Sequence, residues 1–151
     1  MTFMDYALKE AYSGIKARHG GPVGCVIVKD GKIVGKGHNK VLKKNDPTCH
    51  GEMEAVRDAC KNLKTYDLSG CELYTTAEPC PMCLGAILWA NIKTVFYGCN
   101  KNDTDSIGFR DEKFYDFLNG KNNLLSISEQ EREKCLDLFK FYAADEKNRR
   151  Y

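Results

Sequence analysis

Apolar side chains at Met4, Ala7, Leu8, Ala11 and Ile15 recur with helical spacing and predict an amphipathic helix over about residues 3–18. A Gly20-Gly21-Pro22 turn follows. Two β-branched stretches, Val23–Lys29 and Lys32–His38, flank Asp30-Gly31 and predict a β-hairpin. Asn45-Asp46-Pro47 marks a turn. Cys49, Met53, Val56, Cys60 and Leu63 then describe a helix over about 49–63. Residues 71–75 read as a strand, 81–90 as a helix and 93–97 as a strand. The 81–90 helix is apolar on nearly every side, so it is expected to lie buried against the sheet. Residues 99–123 are polar and loop-like, with one short helix near 114–118, and 124–127 read as a last short strand. Ser128-Glu129-Gln130-Glu131 reads as a capping box opening a helix to about residue 148, with Cys135, Leu138, Phe139 and Tyr142 as its buried stripe. No linker or repeat interrupts the chain. The expectation is a single domain, residues 1–151, of α/β class: a three-layer α/β/α arrangement with a mixed sheet of about five strands.

A chain of 151 residues is long enough to bury a core without covalent staples. With 23 Lys+Arg against 21 Asp+Glu, the net charge of +2 gives little pull toward nucleic acid or a membrane surface. No apolar run approaches the ~20 residues of a bilayer span, and the N-terminus lacks the pattern of an export signal, so a cytoplasmic location is expected. Eight cysteines invite a disulfide reading, but such frameworks belong to short secreted chains. In a reducing compartment a cysteine is a small core residue, a ligand or a nucleophile. Cys25, Cys60, Cys71, Cys99 and Cys135 read as core residues, and His19 and His38 as ordinary loop and strand-end residues.

Cys80 and Cys83 alone have a diagnostic spacing. Pro79-Cys80-Pro81-Met82-Cys83 puts two thiols on one face at a strand-to-helix junction, with Pro81 suited to the first helical position. A helix N-terminus favours the thiolate, which is the metal-binding form. Alone, the pair is open between zinc and thiol–disulfide chemistry. His50-Gly51-Glu52 supplies an imidazole as third ligand, with Glu52 as a nearby unligated carboxylate that can move protons. A structural site would instead need a fourth protein ligand, for which Cys49 is the candidate. Positions i and i+2 of a regular helix point about 200° apart, so spacing alone does not bring His50 and Glu52 together.

The combination H-x-E…P-C-x-x-C is the signature of zinc-dependent base deaminases. Together with Gly20–Gly24, Val26–Gly31, Gly37-His38-Asn39, Asn45–Thr48 and Thr76–Ile87, it resembles the cytidine-deaminase superfamily, and within it the bacterial guanine deaminases, over roughly residues 1–118. The resemblance implies that His50, Cys80 and Cys83 hold Zn2+ and that Glu52 is the proton shuttle in the hydrolytic deamination of a free nucleobase, guanine to xanthine plus ammonia. It also implies that Asn39 binds the base and that Asp111, in Gly108-Phe109-Arg110-Asp111, reads its amino and ring N–H groups. In this subfamily the C-terminal segment is exchanged within a homodimer and a terminal aromatic residue, here Tyr151, closes the neighbour's pocket. Two positions depart from the pattern: the usual H-A-E is H-G-E, a form associated with fungal cytosine deaminases, and Val23 stands where the guanine enzymes often carry Phe. Cytosine is therefore the alternative base. Deamination of the tRNA wobble adenosine, by enzymes sharing G-P-V-G and E-P-C-x-M-C, is a third reading against which the small net charge weighs.

Overall fold

The computed structural model describes residues 1–151. Thr2 caps helix α1 (Phe3–Lys16): its hydroxyl accepts the Asp5 N–H at 3.1 Å, and the Asp5 carboxylate accepts the Thr2 N–H in return. Strands β1 (Gly24–Lys29) and β2 (Lys32–His38) form the expected hairpin, with Asp30 and Gly31 both at positive φ as a tight two-residue turn requires. β3 (Glu72–Ala77) pairs antiparallel with β1, and β4 (Thr94–Cys99) pairs parallel with β3 across helix α4 (Pro81–Trp89). The sheet order is β2-β1-β3-β4.

Alternation along β1 divides the core between two layers. Val26 and Val28 face α1 and pack with Ala7, whereas Cys25 and Ile27 face the other side. There, helix α3 (Gly51–Leu63) and α4 cover the sheet with Ala55, Ala59 and Ile87, around a fully buried Leu68 and Leu73. The three-layer α/β/α reading holds, and the sheet is mixed.

The sheet has four strands, not about five. Residues 124–127 join no ladder: Leu124, Leu125 and Ile127 are exposed, and the Leu124 N–H meets only the Asn122 side chain. A strand depends on its pairing partner, which a short apolar run cannot specify by itself. The polar stretch after β4 carries more helix than expected, α5 (Lys101–Ser106) with an Asn100/Asp103 capping box and α6 (Asp111–Leu118). A one-turn helix α2 (Val41–Lys44) also escaped the pattern, being too short to show a period. The last helix, α7 (Arg132–Ala144), starts after Glu131, which is its N-cap in left-handed conformation, so the expected capping box from Ser128 does not form. Its apolar residues are not buried in this chain: Leu138, Phe139 and Phe141 are 63–79% exposed. Cys99 and Cys135 are likewise exposed, and Trp89 and Leu88 leave α4 covered on one side only. No helix is long and apolar enough to cross a membrane.

Candidate metal centre and active site

Two helix N-termini meet at the end of β3. His50 is the N-cap of α3 and Cys80 the N-cap of α4, both in extended conformation, with Pro81 opening α4 and Cys83 in its first turn. His50 Nδ1 lies 3.5 Å from both Cys80 Sγ and Cys83 Sγ. Ligand atoms of the three residues all fall within 4.8 Å of one another. One imidazole and two thiols, converging at two positive helix ends that favour thiolates, make a donor set that fits zinc. Hydrogen bonding from Cys83, and then from His50, holds the Cys80 thiol well below the usual thiol range. Cys83, as the donor to Cys80, is held up. The hydrogen bond to Cys80 raises the His50 imidazole against the opposing effect of burial. Cys49 is not a fourth ligand: its sulfur faces Arg57, 3.7 Å from Nη1.

Because His50 caps the helix instead of belonging to it, the 200° objection of a regular helix does not apply. Glu52, in the first turn of α3, lines the same cavity as His50. Burial pushes its carboxyl up to about 7. Gly51 between them is held against Val23, the residue that precedes β1: a Cβ there would sit 2.7 Å from the Val23 carbonyl oxygen and 3.2 Å from Val23 Cγ1. The two positions at which the sequence departs from the superfamily pattern are therefore in contact.

Supporting bonds hold both ligand-bearing segments. Asp46 accepts the Thr48 N–H and hydroxyl, and the His50 N–H binds the Thr48 carbonyl at 2.8 Å. The Tyr115 hydroxyl of α6 donates to the Pro79 carbonyl at 2.5 Å, immediately before Cys80. Burial, and then the Glu78 carboxylate, raise the Tyr115 phenol to about 12, so it remains a donor. Sequence reasoning missed Tyr115, since an aromatic residue in a polar stretch carries no local signal of a contact 36 positions away.

These residues open onto a cavity of about 560 Å³. His50, Glu52 and Cys80 line its floor, with Asn39, Asp111 and Phe109 beside them. Asn39 is buried; its N–H binds the Val23 carbonyl and its Oδ1 accepts the Val41 N–H at 3.0 Å, which leaves the side-chain NH2 to donate. Asp111 stands in the first turn of α6, its carboxyl raised by burial and by the neighbouring Cys80. Leu8, Tyr12, Ile15 and Ile107 form a partly exposed apolar mouth. Tyr151 lies elsewhere in its own chain, with its ring 5.9 Å from Trp89 and 6.0 Å from Tyr66.

Residues 1–99 match the family model described as the cytidine and deoxycytidylate deaminase zinc-binding region. A guanine deaminase of Bacillus subtilis (strain 168) is 52% identical over 114 residues, 76% of this chain and 73% of that protein. A tRNA-specific adenosine deaminase of Aquifex aeolicus is 45% identical over 95 residues, 63% of this chain and 62% of that protein. Among solved structures, guanine deaminase from Bacillus subtilis superposes with a TM-score of 0.92 at 40% identity, covering 99% of this chain and 96% of that one. Guanine deaminase from Nitrosomonas europaea gives 0.67 at 32% identity, over 71% and 62% respectively.

Proposed function

Since this chain belongs to the cytidine and deoxycytidylate deaminase family, we propose that it is a guanine deaminase, converting guanine and water to xanthine and ammonia. The single observation that carries the choice of base is the pairing, in one cavity, of a carboxylate (Asp111) with a side-chain NH2 (Asn39). Guanine offers acceptors at O6 and N7, and donors at its ring N–H and amino group. A carboxylate accepts from the donors and an amide NH2 donates to an acceptor. Cytosine and adenine have no ring N–H beside the amino group for Asp111 to hold.

Zinc held by His50, Cys80 and Cys83 would supply a Lewis acid that lowers the pKa of water toward ~7. Glu52 performs the proton transfers. Its carboxylate takes a proton from water as oxygen bonds to the amino-bearing carbon, and delivers that proton to the adjacent ring nitrogen. It then carries the hydroxyl proton to the amino group, which leaves as ammonia while the carbonyl forms. Asn39 and Asp111 orient the ring, and Phe109 offers it an aromatic face.

The active form is a homodimer in which the C-terminal segment is exchanged. Two surfaces support this: α7 carries an apolar face that its own chain leaves exposed, and the cavity mouth is apolar and open. Each cavity is then closed by the neighbour's tail, with Tyr151 over the base. Two thiols that must stay reduced to serve as ligands support a cytoplasmic location.

Kinship with the tRNA-specific adenosine deaminases favours tRNA as a second reading. The test is ammonia release from guanine, cytosine, adenine, cytidine and tRNA by the purified zinc-loaded protein. Guanine is expected to exceed every other substrate, and turnover of tRNA or cytosine without guanine would overturn the assignment.

A further inference from the structure

Three polar side chains that the deamination chemistry leaves unused meet next to Asn39. Glu10 Oε2 of α1 lies 2.9 Å from His38 Nδ1, at the end of β2, and His38 Nε2 lies 2.8 Å from His19 Nδ1, in the loop after α1. The two imidazoles are within 18° of parallel with centroids 5.1 Å apart, an end-to-end contact. Directionality follows from the donor inventory. An ionised carboxylate only accepts, so His38 Nδ1 carries hydrogen; neutral His38 then presents a bare Nε2, and His19 Nδ1 must donate to it.

This chain of bonds ties together the segments that build the Asn39 side of the cavity. α1 supplies Ala11 and Ile15 to the wall, the loop after His19 supplies Pro22 and Val23, and Asn39 follows His38 directly. The His19 carbonyl accepts the Leu42 and Lys43 N–H groups, while Asn39 binds the Val41 N–H. Packing leaves no slack: a Cβ on Gly14 would lie 2.4 Å from His38 Cδ2, and one on Gly20 would lie 2.0 Å from Asn39 Oδ1.

We propose that Glu10, His38 and His19 form a positioning relay that sets the Asn39 amide for base binding and releases it when a second proton enters the histidine pair. One added proton leaves the contact between the rings intact, because one of the two facing nitrogens still accepts. With two added protons both facing nitrogens are donors, and a 2.8 Å contact cannot persist. The groups around the pair are Glu10 on α1, Lys36 on β2 at 3.8 Å from Glu10, and Lys40 and Lys43 beside His19. Burial, and then Lys43, hold His19 below the ordinary histidine range, which opposes entry of the second proton.

The proposal rests on the base-binding reading of Asn39, and the experiment separates the two. Steady-state kinetics with guanine are measured on zinc-loaded wild type, Glu10→Gln, His19→Asn, Asn39→Ala and the Glu10→Gln/Asn39→Ala pair, from about pH 5 to 8. Glu10→Gln is expected to raise KM about tenfold with kcat within about twofold, and to add nothing in the Asn39→Ala background. Wild-type KM is expected to rise in acid, and the His19→Asn profile to stay flat. An unchanged KM in Glu10→Gln, full additivity with Asn39→Ala, or an equal acid rise in His19→Asn overturns the relay. An unchanged KM in Asn39→Ala overturns the binding role of Asn39 itself. Should Glu10→Gln fail to fold, the His19→Asn profile and its combination with Asn39→Ala decide the question.

Discussion

At the scale of single residues, the site depends on where each side chain stands relative to a helix end. His50 and Cys80 are N-caps that use no side-chain oxygen, so their ring and sulfur are free to face each other across two positive helix termini. Gly51 lets α3 start close to β1, because any Cβ would press on the Val23 carbonyl at 2.7 Å, and that backbone atom cannot rotate away. Gly51→Ala is therefore expected to destabilise the protein by about 1–3 kcal/mol, with zinc affinity lowered as His50 shifts; thermal unfolding and metal titration check both. The ligand set and Glu52 were legible in the sequence because cysteine spacing and H-x-E are local patterns. Their convergence was not, since it depends on which residue is the cap, a boundary that periodicity does not fix. His19 and His38 read as ordinary residues because their contacts are distant in sequence: Glu10 lies 28 positions from His38, and His19 lies 19 positions from it.

Among the elements, α3 is locked to the turn before it by charge. Glu54 is buried among Arg57 Nη1 at 3.0 Å, Lys44 Nζ at 3.1 Å and Lys40 Nζ at 4.0 Å, beside Cys49. Burial would raise its carboxyl, but the Cys49 and Lys44 hydrogen bonds and the Lys44 and Arg57 charges outweigh it and hold the group below 4.5. A depressed carboxylate pKa contributes stability that is present above the unfolded value and is lost as pH falls through the folded one. Glu54→Gln is accordingly expected to lower Tm at neutral pH, with the gap from wild type narrowing below about pH 4.5; melting curves across pH measure it. The hairpin, α1, α3 and α4 followed from pattern and turn chemistry. Of α6 only the second half, 114–118, was legible, α5 was not, and the 124–127 segment reads as a strand yet stays unpaired, because short polar helices have little period and a strand needs a partner.

For the whole molecule, one apolar helix stands without a place in its own chain. Truncation before Arg132 removes α7 and the tail but none of the buried residues of the α/β/α core. The truncated protein is expected to remain folded, to be monomeric if the proposed exchange holds the dimer, and to turn over guanine poorly, which scattering of the eluted species and ammonia release would measure. A truncated chain with wild-type kinetics would reject closure by the neighbour. The near-neutral charge of +2 agrees with a small neutral base as substrate. Of the eight cysteines, two fall in the candidate metal cluster and six lie outside it.

The central claim is that Glu52 moves the protons of guanine hydrolysis at a site held by His50, Cys80 and Cys83. Xanthine formation from guanine by Glu52→Gln, compared with wild type at matched zinc content, tests it most directly. The variant is predicted to bind zinc one to one and to lose about 10²–10⁴-fold in kcat. A zinc-replete Glu52→Gln protein with wild-type turnover would contradict the mechanism.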